Sequence, residues 1–94
     1  MNNATIICQD KYEAQKLASL IFVNDTKETY VTEILNVVEN EIILSIKDKS
    51  AHSVILKDNE QVLLFTDFIQ SIIEKKQKIT HTQLTDNSVE IIKE

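Results

Sequence analysis

The chain reads as an α+β domain: a small antiparallel sheet, elements in the order strand, helix, hairpin, helix, with both helices packed on one sheet face. Three observations predict it. Two runs of alternating apolar and polar residues flank Glu39-Asn40. Two other segments repeat apolar residues at helical spacing. And 94 residues suffice for one domain with one core.

Residues 4–8 (Ala-Thr-Ile-Ile-Cys) form a short β-rich run and open the sheet. Asp10 then starts a helix, with Glu13 three residues on in capping-box position. Ala14, Leu17, Ala18 and Ile21 give that helix its apolar stripe, and Asn24-Asp25 should end it.

Residues 29–38 and 41–48 are the two strands of a hairpin, and Asn40 suits a left-handed turn position. That register pairs Val38 with Glu41, Val37 with Ile42 and Leu35 with Leu44. One face then carries Leu35, Val37, Ile42, Leu44 and Ile46. The other carries Tyr30, Ile34, Val38 and Ile43, so both faces hold apolar side chains and the second needs its own cover.

Residues 50–57 fit two descriptions. As a strand, Val54 and Leu56 point one way; as a helix, Ala51, Val54 and Ile55 join the next segment. Asp58 separates the two, since it is costly inside an apolar stripe and well placed as an N-cap before Gln61. Residues 60–76 are helical, with Val62, Leu64, Phe65, Phe68, Ile69, Ile72 and Ile73 covering about half the circumference at 100° per residue. Residues 1–76 therefore make up the domain, and 77–94 a C-terminal extension or a short hairpin around Thr85-Asp86-Asn87-Ser88. No internal repeat and no low-complexity tract is visible.

Composition narrows the function. The net charge is −5, from fifteen acidic side chains against ten lysines, with no arginine. Nucleic-acid binding needs cations to replace counterions on phosphate, so no direct contact with nucleic acid is expected. With no glycine there is no phosphate-cradling loop. Cys8, His52 and His81 are dispersed, which predicts no metal site, no cofactor and no catalytic residue. One cysteine excludes an intrachain disulfide. Residues 1–20 lack a signal-peptide pattern, and no apolar run reaches the ~18 residues of a membrane span, so the expected address is the cytoplasm, or the nucleus of a eukaryote.

The order of elements resembles the small dimerising subunit of the KEOPS complex, which takes part in making threonylcarbamoyladenosine on tRNA. The likeness runs over residues 5–75: Ile7-Cys8-Gln9-Asp10 entering a helix, the stripe Ala14, Leu17, Ala18 and Ile21, the segment Phe22 to Lys27, and the hairpin Val37 to Ile46. The family's prolines are missing, as is the arginine of the segment corresponding to Asp48–Ile55. The resemblance implies one long helix over Ser50–Lys76, with Asp58 paired. It also implies a non-catalytic scaffold subunit that self-associates and packs its helices on a catalytic, ATPase-fold partner in tRNA modification.

The residues themselves point to protein binding, through Tyr30, Ile34, Val38, Ile43, Leu64 and Phe68. The alternative is a small phage- or plasmid-encoded inhibitor, an anti-defence or immunity protein, whose acidic side chains meet its target.

Overall fold

A computed structural model describes residues 2–23, 28–29, 31–47, 50–75 and 79–93. The elements are β1 (Asn2–Ile7), α1 (Lys11–Ile21), β2 (Phe22–Val23), β3 (Glu28–Thr29), β4 (Val31–Val38), β5 (Glu41–Ile46), β6 (Ala51–Ile55), α2 (Asn59–Lys75), β7 (Ile79–Thr85) and β8 (Ser88–Lys93). The α+β class read from the sequence is correct, but the single sheet expected, with both helices on one face, is two sheets, because β1 pairs with β8 and not with the β4–β5 hairpin. Two three-stranded antiparallel sheets carry the fold, in the orders β4-β5-β6 and β1-β8-β7, with β2 and β3 as a separate two-residue pair.

The ambiguous segment is a strand. Val54 and Leu56 are fully buried and share one face, and Asp58 caps α2 by accepting a hydrogen bond from the Gln61 amide at 3.1 Å. The continuous helix over Ser50–Lys76 that the family resemblance implies is therefore absent. A carboxylate suits a helix start, where unpaired amides point outward, better than the middle of an apolar stripe.

The two sheets meet at one point. Cys8 and Leu56 form an antiparallel bridge, flanked by Gln9 N–H to Ile55 O (3.2 Å) and Lys57 N–H to Ile7 O (3.0 Å). Around this point the chain repeats itself. Asp10 accepts from the Glu13 amide at 2.8 Å, as Asp58 does from Gln61. The Glu13 carboxylate then crosses to accept from the Ile55 amide (3.3 Å), and the Gln61 carboxamide crosses the other way to the Ile7 amide (2.9 Å). In a capping box the third side chain returns to its own N-cap amide; here both reach the opposite strand.

The turns obey the same symmetry. The Leu56 amide donates to Asn40 O (2.8 Å) and the Asn40 carboxamide donates to Leu56 O (2.7 Å). The Cys8 amide donates to Asn87 O (2.7 Å) and the Asn87 carboxamide to Cys8 O (3.0 Å). The left-handed turn residues are Glu39 (φ 56°) and Asp86 (φ 50°), not the expected Asn40. Each asparagine instead uses its side chain to clamp the other unit. The clamp offsets part of the roughly 1–2 kcal/mol a non-glycine residue costs there.

The chain is thus two βαββ units, β1-α1-β4-β5 and β6-α2-β7-β8, that exchange their first strands: β1 pairs with β8, and β6 with β5. The registers match, with Ile42 opposite Val54 and Val89 opposite Ile6. Sequence reading shows no repeat because the units share spacing and burial but few identities. Leu17 stands where Phe65 does, and Cys8 where Leu56 does.

One core serves both units. Ala14, Leu17 and Ile21 of α1 and Val62, Phe65, Phe68, Ile69 and Ile72 of α2 close over the buried faces of both sheets. α1 lies against β6, β7 and β8, and α2 against β1 and β4. Ile79, Val89 and Ile91 are fully buried and β8 is the middle strand of its sheet, so 77–94 contains a structural hairpin of the same domain.

α1 ends at Ile21; the expected stop at Asn24-Asp25 lies outside the described residues.

Candidate protein-interaction surface

The six residues expected to form an interface fall in different places. Tyr30 lies outside the described residues. Ile34 is half-buried opposite Leu44 and lines a cleft between β4 and α2 with Thr32, Gln70, Ile73 and Glu74. Ile43 is half-buried on the open face of its sheet, between Asn36 and Ser53. Leu64 is exposed, but Phe68 is only 8% exposed and belongs to the core. Val38, 50% exposed, is the one β-strand member standing clearly in water.

The hairpin register explains these positions. Val38 pairs with Glu41 and Val37 with Ile42 as expected. A bulge then intervenes: Asn36 pairs with Ile43 and Ile34 with Leu44, leaving Leu35 as the extra residue. Ile34 takes the core-facing place expected of Leu35, and Leu35 is 48% exposed. The bulge is what sequence reading misses, since alternation alone assumes an unbroken pleat.

The outer strand β4 therefore presents Leu35, Val37 (38% exposed) and Val38 to solvent. Glu33 and Glu39 are exposed around them, and Glu41 is half-buried. The backbone edge is partly closed: the Asn36 carboxamide oxygen accepts from the Val37 amide at 2.9 Å. Side chains are thus the more accessible feature of this edge.

The matching strand β7 is different. Where β4 has Val37 and Val38, β7 has Leu84 and Thr85; β7 has no bulge at that point and so no counterpart of Leu35, and only its Leu84 is a large exposed apolar residue. Opposite them, Ile43 of β5 corresponds to Glu90 of β8.

A second surface feature lies where α2 meets β1 and β8. Lys93 is 92% buried, its side chain lying along the core. Its ammonium sits 4.8 Å from the Phe68 ring centroid and donates to Ser71 Oγ, which donates to Phe68 O at 2.8 Å. Asn3, Leu64 and Asp67 line the shallow depression above it. This arrangement satisfies a cation that closes the end of the core.

The potential nucleophile is sequestered. Cys8 is fully buried, and burial, reinforced by the charges of Glu13 and Asp10, pushes its thiol from 9.0 to about 12. A thiol held in that state is a weak nucleophile at neutral pH. His52 shares the core side with Leu44, and its Nε2 is buried with no hydrogen-bond partner. Among the described residues, no cluster of His, Cys, Asp or Glu is suited to holding a metal ion. No described helix is long and apolar enough to cross a membrane.

No family model, no curated protein and no solved structure matches the chain. The fold and surface define an α+β domain of two strand-exchanged βαββ units whose outer hairpins differ in polarity.

Proposed function

We propose that this chain is a non-catalytic protein-binding module, of the scaffold- or adaptor-subunit kind, whose contact surface is the β4–β5 hairpin. One observation carries the reading: Leu35, Val37 and Val38, three of four successive residues at the end of one outer strand, are exposed, with Val38 on the face away from Ile42, where the twin strand has Thr85. Scattered apolar residues on a surface need no explanation, but such a concentration on one strand end does. Covering an apolar side chain of this size is worth roughly 1.5–3 kcal/mol before the costs of association.

The test places a photo-crosslinking residue at Val38 in one preparation and at Thr85, its twin position, in another. In the cells that express the protein, a single stoichiometric adduct from position 38 and none from 85 supports the reading. Equal labelling from both positions overturns it.

Two narrower readings follow from it. A KEOPS-type scaffold role remains a proposal, and the strand at Ala51–Ile55 removes the long helix that the resemblance relied on. A small inhibitor that occupies a partner's basic site is favoured by the gathering of Glu33, Glu39 and Glu41 on this hairpin.

A further inference from the structure

We infer that the partner of the β4–β5 hairpin is a protein surface with an apolar depression rimmed by lysine or arginine. The inference rests on the proposed contact surface and names the chemistry it takes. Residues 31–46 contain Glu33, Glu39 and Glu41 and no lysine, arginine or histidine, although the chain has ten lysines elsewhere. The exposed Leu35, Val37 and Val38 lie within that acidic frame.

A second copy of the chain fits this surface poorly. A twofold contact through the hairpin sets the same patch against itself, so its three carboxylates would meet their own copies as apolar area was buried. A basic rim removes that repulsion and steers the encounter. The Asn36 carboxamide on the Val37 amide further favours docking through side chains over addition of a strand. The β7–β8 hairpin is an internal control. It has the same pairing next to the turn and the same turn chemistry, but carries Lys93, has Thr85 where β4 has Val38, and lacks the bulge that puts Leu35 in water.

The experiment titrates the isotope-labelled full chain with two short peptides, alternating Arg and Leu or alternating Glu and Leu, and follows backbone amide shifts. The Arg/Leu peptide should move resonances of residues 31–46 saturably. The triple variant Glu33→Gln/Glu39→Gln/Glu41→Gln should weaken its binding about tenfold while keeping the fold, and raised salt should weaken it likewise. If the Glu/Leu peptide moves the same resonances as strongly, or if the free chain dimerises through this hairpin, the basic partner is overturned while the hairpin stays a contact surface. If the Arg/Leu peptide moves residues 79–93 equally, or moves nothing, the contact surface falls as well.

Discussion

The two hairpins of this domain are built alike and finished differently. Each closes through a left-handed acidic residue and an asparagine that clamps the opposite unit, and each supplies the middle strand of a sheet. Inside, their side chains correspond in kind: Ile42 with Val89 and Leu44 with Ile91, all fully buried. Outside, correspondence stops at Val38 and Thr85 and at Ile43 and Glu90, and Leu35 is an added residue with no counterpart. Packing dictates the first set, because close-packed interiors tolerate little change in volume. Nothing in the fold requires leucine or valine in water on one hairpin and threonine on the other. That difference is what the proposed contact surface rests on.

The strongest test of the equivalence lies in the helices. Phe65 and Leu17 occupy matching, fully buried places over the shared core. Phe65→Ala should cost about 3–5 kcal/mol and Leu17→Ala about 2–5 kcal/mol in chemical denaturation. A Leu17→Ala cost below about 1 kcal/mol would mean that the first unit contributes little to the core, and the twofold description would break.

Cys8 and Leu56 are the bridge pair, and only one of them can titrate. The folded thiol keeps its proton up to about 12, against 9.0 ordinarily. Between those values the unfolded chain releases a proton that the folded chain retains, so stability must fall as pH rises. The slope is at most about 1.4 kcal/mol per pH unit. Lysines and tyrosines titrate in the same window, so the quantity to measure is the difference between the wild type and Cys8→Val. That difference should shrink with pH above 9.0, and a parallel pair of stability curves would show that the bridge thiol is not sequestered.

Much of this architecture is legible in the sequence. Helical stripes locate both helices, Asp10 and Asp58 mark their starts, and alternation about Glu39-Asn40 finds the hairpin, because these signals are local. The exchange of first strands is not legible. It depends on contacts such as Ile7 with Gln61, far apart in the chain, which leave no periodic trace. The proposed contact surface is half-legible for a related reason. Val38 is identified correctly as outward-facing, but one inserted residue in β4 puts Leu35 in water and Ile34 against the core. Phe68 reads as surface in the sequence because the apolar arc of α2 is wider than one sheet needs. The helix meets β1 and β4 from two different sheets, and Lys93 covers what remains.

The crossed hydrogen bonds at the junction give a smaller and sharper comparison. Gln61→Leu leaves the Ile7 amide without its acceptor, and Glu13→Leu does the same to Ile55. Each should cost about 1–3 kcal/mol. Gln61 should cost the more, because its bond is the shorter, 2.9 Å against 3.3 Å. Equal and negligible losses would mean that water replaces both acceptors and that the exchange is held by the core alone.

The smallest effect on stability should come from giving β4 the surface of its twin. In Leu35→Thr/Val37→Leu/Val38→Thr, the new side chains at 37 and 38 already occur at the matching places on β7, and the one at 35 falls on the exposed bulge residue, so the turn and the core pairing are unaltered. The exchanged atoms are largely in water, and threonine keeps the β-branch that suits a strand. Thermal unfolding should move by no more than about 0.5 kcal/mol per exchanged residue. Binding should respond in the opposite proportion: the crosslink from this hairpin should disappear although the fold is intact. A large loss of stability would assign Leu35, Val37 and Val38 to the domain's own cohesion, and the contrast between the hairpins would then be one of folding. Unchanged binding in a stable variant would move the contact surface elsewhere. The variant thus separates the two reasons for which a protein can hold apolar side chains at its edge.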